Sequence, residues 1–186
     1  MGRACPGDAE LRRYIGPPLR ETLRELLGSG NPDEIETGIR LYRERYSMTG
    51  LFENMVYPGI PAALASLTQR GATLVVATSK PRVFAERILD HFRLTTHLTA
   101  VYGSGLDGTL SNKAELIAHI LKSESFSPAS TCMIGDRSHD VVGAKANGVY
   151  PVGALWGYGS REELTAAGAA ALCERPDSLG RVAIAA

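Results

Sequence analysis

Hydrophobic residues along this chain follow two rhythms, and the change comes near residue 57. Before it the spacing is helical. Leu19, Leu23, Leu26 and Leu27 recur at i, i+4, i+7 and i+8, and Ile35, Ile39, Tyr42 and Tyr46 form a second stripe after Pro32. Gly28-Ser29-Gly30-Asn31 breaks the two apart. From Pro58 onward, short apolar runs alternate with helical stripes. Helices are expected over 60–70, 82–93, 113–122 and 138–147, and strands over 73–77, 98–102, 131–134 and 150–154. The tail reads as a helix over 160–166, a short strand near 171–173 and a helix over 176–183. Short apolar strands separated by helices specify an α/β fold, a parallel sheet with helices on both faces.

One segment carries more chemistry than any other. In TCMIGDRSHDVVGAKANG, residues 131–148, an apolar run ends at Gly135 and Asp136, and a helix pattern follows with Gly148 as its stop. Asp136 therefore sits at the carboxyl end of a strand and Asp140 in the first turn of the next helix. That edge is where open α/β sheets bind ligands. Two carboxylates at i and i+4 repel on one helix face. A cation relieves that repulsion, and hard oxygen donors suit Mg²⁺. The same pattern also fits a helix-capping Asp136 and a solvated Asp140. A second strand, Leu74-Val75-Val76-Ala77, ends at Thr78-Ser79-Lys80-Pro81, and Lys113 opens another helix. His139, between the two acids, is expected to face solvent.

Composition narrows the setting. The 186 residues carry 20 Lys+Arg and 20 Asp+Glu, a net charge of zero. Nucleic-acid binding needs a basic face, so no nucleic-acid partner is expected. No apolar stretch approaches the ~20 residues of a membrane span, and no signal peptide is expected. The three cysteines, Cys5, Cys132 and Cys173, are odd in number and scattered. Cys132 falls in a core strand, and a reduced, cytoplasmic setting is expected.

A hydroxyl at one strand end, a lysine and an acidic pair at another strand end, in that order, resemble the haloacid dehalogenase-like superfamily of phosphatases. ATSKP at 77–81 looks like its second motif, Lys113 in SNKAELIAHIL like its third, and GDRSHD at 135–140 like its fourth. YIGPPLRETL at 14–23, YPGIPAALASL at 57–67 and YGSGLDGTLSNKAE at 102–115 resemble phosphoglycolate phosphatase-type members and their 5′-nucleotidase relatives. The resemblance implies a Rossmannoid parallel-sheet core over 57–186 and a remnant of a helical cap over 8–56. It implies a small phosphorylated substrate and Mg²⁺ as cofactor. Thr78 becomes the phosphate-binding hydroxyl and Lys113 the charge-offsetting ammonium. Asp136 and Asp140 become the metal-side acids. Ser79, Lys80 and the cap residue Arg20 are further candidates for substrate contact.

One departure stands against this. The family begins with an apolar strand ending in Asp-x-Asp-Gly-Thr, whose first Asp is the nucleophile. This chain begins MGRACPGDAELRRYIGPPL, with no apolar strand before Asp8 and no acid two residues after it. Its one Asp-Gly-Thr, at Asp107-Gly108-Thr109, has Gly105 where the nucleophile belongs and is expected to be a turn. The chain is expected to be inactive as it stands. Three readings stay open: a truncated phosphatase, a pseudo-enzyme that binds phosphate, Mg²⁺ or a partner without chemistry, and an interaction subunit. In the family the absent strand lies between those ending at Thr78 and Ile134. An unfilled slot is expected not to persist: either those two strands close up and pair, or a second copy fills the gap.

Overall fold

A computed structural model describes residues 6–182, with nothing given for the side chains of Ala9 and Val182; Cys5 lies outside the described residues. The chain separates into two compact units, residues 1–55 and 56–186.

The first unit is helical: α1 (Asp8–Leu11), α2 (Leu19–Leu27) and α3 (Pro32–Met48). Gly28 closes α2 in the left-handed conformation, at φ 57°, which glycine adopts without penalty. Asn31 caps α3 by accepting from the Asp33 amide, and Pro32 follows at the first helical position. Leu27, Ile35 and Ile39 are buried. The second stripe fades after Ile39: Tyr42 is exposed and stacks on Tyr46 at 5.1 Å between ring centroids.

The second unit runs α4 (Ile60–Gln69), β1 (Val75–Pro81), α5 (Arg82–His91), β2 (Ala100–Ser104), α6 (Lys113–Ser123), β3 (Cys132–Gly135), α7 (Ser138–Ala146), β4 (Tyr150–Ala154), α8 (Arg161–Ala167), β5 (Ala171–Cys173) and α9 (Leu179–Val182). Every strand pairing is parallel. The period-2 pleat sends neighbouring residues of β3 to opposite faces. Met133 packs on Ile117, Ala144 and Val149, while Ile134 packs on Ala63, Leu67, Val152, Cys173 and Leu179. Helices α6 and α7 thus cover one face, and α4 and α9 the other.

Three sequence expectations need correction. The strand expected over 73–77 does not stop before Thr78-Ser79-Lys80-Pro81. That segment continues β1, with Thr78 paired to Gly103 and Pro81 to Ser104 across a shift in register. The last helix is shorter than the tail pattern suggests, because Pro176–Ser178 forms a 3₁₀ turn ahead of α9. Third, the strands do not close up. They form two sheets, β1-β2 and β3-β4-β5, and β1 and β3 share no ladder. Direct pairing of the strands ending at Thr78 and Ile134 is therefore not the outcome in this single chain. Among the described residues each has one edge without a neighbouring strand.

Candidate active site

The middle of β1 and the first turn of α7, the helix that follows β3, are tied together by one side chain. Asn112 caps α6 by accepting from the amides of Ala114 and Glu115, which sets Lys113 at the first helical position. Its stem is buried, and Nζ donates to the carbonyl of Ala77 at 2.9 Å and ion-pairs with Asp140 Oδ1 at 2.9 Å. Ala77 belongs to one sheet. Asp140 follows the other. The ammonium has three N–H donors, so one remains for a further oxygen. The sequence placed a cation beside the acidic pair; for Asp140 that cation is Lys113.

Asp140 is buried and engaged on both oxygens. Its Oδ2 accepts from the Arg137 amide at 3.2 Å, one half of a capping box at the start of α7. A Cβ on Gly135 would lie 2.2 Å from that of Asp140, so only glycine lets strand and helix meet this closely. Asp136 is held on one oxygen alone: Oδ2 accepts from the Tyr158 amide at 2.8 Å. Gly157 is again needed, since a Cβ there would stand 2.2 Å from Asp136 Cβ. His139 is exposed, as its helical position predicts.

Thr78 is half-buried, and its Oγ1 accepts from the Lys80 amide at 3.2 Å, which leaves the hydroxyl proton for another acceptor. Ser79 is fixed through its carbonyl, which accepts from buried Ser104 at 3.0 Å. Burial pushes the Lys80 ammonium below its ordinary pKa. Arg20 lies on α2 in the helical unit and ion-pairs there with Glu36 of α3. Asp107 is exposed, and its Oδ1 accepts from the amide of Thr109 at 3.0 Å and from its hydroxyl at 2.8 Å. Those bonds hold the carboxyl below its ordinary pKa. Asp107-Gly108-Thr109 is thus a self-bonded turn.

Sequence reasoning missed Glu163. Its Oε1 accepts from the Ser138 amide at 2.8 Å and from Arg137 Nε at 3.0 Å. Burial raises its carboxyl pKa, but the Ser138 amide and the Arg137 guanidinium outweigh that and hold it below the ordinary value. A local signal existed. Ser160 and Glu163 carry capping-box spacing, and Ser160 Oγ does accept from the Glu163 amide at 3.1 Å. The box would turn Glu163 back onto its own helix; instead its carboxylate serves α7.

The donor set gives a partial fit to Mg²⁺. No group of three or more His, Cys, Asp or Glu side chains able to hold a metal occurs among the described residues. Among the described residues Asp136 Oδ1 accepts no hydrogen bond, whereas Asp140 is engaged on both oxygens, by Lys113 and by the Arg137 amide. Mg²⁺ takes one or two carboxylates and completes its octahedron with waters and phosphate oxygens. Asp136 fits that role, with Asp140 behind it.

With this geometry in view, comparison with known proteins is decisive about kinship. The family model for haloacid dehalogenase-like hydrolases matches residues 3–154. The chain is 47% identical over 166 residues to a 5′-nucleotidase of Pseudomonas aeruginosa, covering 89% of this chain and 75% of that protein. It is 39% identical over 159 residues to the tyrosine-protein kinase PtkA of Mycobacterium tuberculosis, covering 86% of this chain and 54% of the kinase, about half its length. Among solved structures, a predicted phosphatase from Clostridium acetobutylicum superposes with a TM-score of 0.93 at 38% identity, over 98% of this chain and 84% of that one. The chain belongs to the haloacid dehalogenase-like hydrolase family.

Proposed function

We propose that this chain carries the charge-offsetting half of a phosphomonoesterase site. Its substrate is a small phosphate ester such as phosphoglycolate or a nucleoside monophosphate, and its setting is the cytoplasm. The observation that carries this reading is Lys113, whose Nζ bonds both Ala77 of β1 and Asp140 of α7 at 2.9 Å and so gathers the strand beside Thr78 and the acid-bearing helix around one ammonium. A transferring phosphoryl group spreads negative charge over its equatorial oxygens, and catalysis consists largely of positioning and offsetting that charge. The third N–H of Lys113 and the Thr78 hydroxyl point to that task, and Ser79, Lys80 and Arg20 are candidates to flank the substrate. Mg²⁺ held by Asp136, with Asp140 behind it, would supply a further positive charge. The relatives' names support the chemistry: one hydrolyses nucleotides, another transfers phosphate to tyrosine, and phosphoryl transfer is what they share.

The test is turnover of an aryl phosphate with Mg²⁺. The Asp-Gly-Thr carboxylate among the described residues, Asp107, is engaged in its own turn, so the chain alone should run at background. Losing the covalent route is not repaired by groups that offer no attacking atom. Binding should survive: Mg²⁺ with inorganic phosphate should give measurable heats that vanish in Lys113→Ala and weaken in Asp136→Asn. Turnover abolished by Asp136→Ala would show a nucleophile in place and reopen the role of Asp107. Absence of phosphate binding would remove the catalytic reading altogether.

The unpaired edges of β1 and β3 favour a second reading, a non-catalytic subunit whose slot takes a strand from a second copy. Parallel edges bind extended segments through main-chain hydrogen bonds. Light scattering between micromolar and near-millimolar concentration separates the two: a concentration-dependent dimer supports this reading, and a monomer throughout excludes it.

A further inference from the structure

The acid loop between β3 and α7 is held from two sides, and the two holds differ in kind. From the β4–α8 side, the Tyr158 amide binds the carboxylate of Asp136 directly. From α8, Glu163 binds only its neighbours, the Ser138 amide and the Arg137 guanidinium, through one oxygen. Ser138 is the first residue of α7, and its N–H is among the donors that a helix leaves without an internal partner. A carboxylate there is favoured by both the hydrogen bond and the helix dipole. The Arg137–Glu163 pair is only 15% and 27% exposed, so it is screened less than a surface ion pair.

These contacts fall on Asp136 and on the two residues that follow it. Its own bond fixes one carboxylate oxygen, but the direction of that carboxylate follows from the backbone of residues 136–138. Glu163 anchors that backbone directly at Ser138 and holds the Arg137 side chain beside it. Because Asp140 also bonds the Arg137 amide, at 3.2 Å, Glu163 stabilises both ends of the acidic pair without touching either acid.

We infer that Glu163 is the positioning residue of the acid loop: by clamping the Arg137 side chain and the Ser138 amide it holds the segment that carries Asp136 against the β4–α8 side. This deepens the reading of Asp136 as the metal-side acid and rests on it for its purpose, but the clamp itself is a structural claim that stands or falls separately. A merely local role predicts that only the groups bonded to Glu163 respond to its removal. A positioning role predicts a response at Tyr158, which bonds Asp136 and not Glu163.

Amide hydrogen exchange on the full chain separates these. In Glu163→Ala, exchange at Ser138 should speed up as its acceptor is lost. Exchange at Tyr158 should also rise about tenfold, the scale of one charge-assisted hydrogen bond. Asp136→Asn should change Tyr158 and leave Ser138 alone, fixing the direction of dependence. Glu163→Gln keeps an acceptor for Ser138 but loses the charge opposite Arg137, and should fall between. Faster exchange at Ser138 with Tyr158 unchanged overturns the inference. Should Glu163→Ala unfold, Glu163→Gln decides by the same criterion. None of this needs turnover, metal or phosphate, so a failed phosphatase assay and a failed clamp remain separate results.

Discussion

The two sheets are built from similar residues and buried to different depths. In the three-stranded sheet, Pro151, Val152, Gly153 and Ala154 of β4 are all buried. In the two-stranded sheet, every residue of β1 is only half-buried, although Val75, Val76 and Ala77 are as apolar as those of β4. Composition does not explain the contrast. Neighbours do: β4 lies between β3 and β5, whereas β1 has β2 on one side and no strand on the other. β3 makes the same point from within the better-built sheet, being half-buried along its length because it too has a single neighbour. Parallel strands normally reach full burial with strands at both edges and helices on both faces, and here the first condition separates the cases.

That contrast can be broken most sharply in the core. Leu164 of α8 is fully buried and packs over Gly153 of β4. Leu164→Ala should cost about 2–5 kcal/mol in denaturant unfolding, the usual toll of a large cavity. Val76→Ala in β1 should cost about 1 kcal/mol or less, since little burial is lost. Equal costs would mean that β1 is covered in solution.

A loss within the range given for Leu164→Ala is expected where the two sheets are joined. Asp140→Ala strands the Lys113 ammonium in a site where both partners are nearly buried, at 9% and 11% exposure. The expected loss is about 3 kcal/mol, and the paired change Lys113→Met with Asp140→Leu should recover much of it. Failure of the double variant to recover would make the charge pair, rather than its volume, the joint between the halves. The smallest effect should come from Arg82–Glu86 on α5, a pair 61% and 41% exposed. Glu86→Gln should shift stability by about 0.5 kcal/mol or less, and less still in high salt.

How much of this was legible in the sequence depends on whether the signal was local. β4 falls where expected, over 150–154, because an apolar run follows the left-handed Gly148. β1 was cut short at Ala77 because the apolar run ends before Thr, Ser, Lys and Pro, yet its ladder with β2 carries the chain on to Pro81. A polar strand end paid for by a neighbour leaves no periodic trace. The residue types around the site were legible, since Thr78, Lys113, Asp136 and Asp140 stood at strand and helix ends. Their pairing was not: nothing in spacing tells that Lys113 occupies Asp140 while Asp136 keeps an oxygen free. Glu163 was hidden for the opposite reason, because its local capping pattern accounts for it completely and conceals its bond to another helix.

The lone-sided strands also govern how the protein behaves in a tube. Two apolar runs that each lack a second neighbouring strand among the described residues invite edge-to-edge stacking. A chain of zero formal charge and isoelectric point near 6.9 has little repulsion to oppose it at neutral pH. Precipitation on concentrating should therefore be worst close to pH 7 and ease a unit or more to either side, and added salt near neutrality should do little to prevent it.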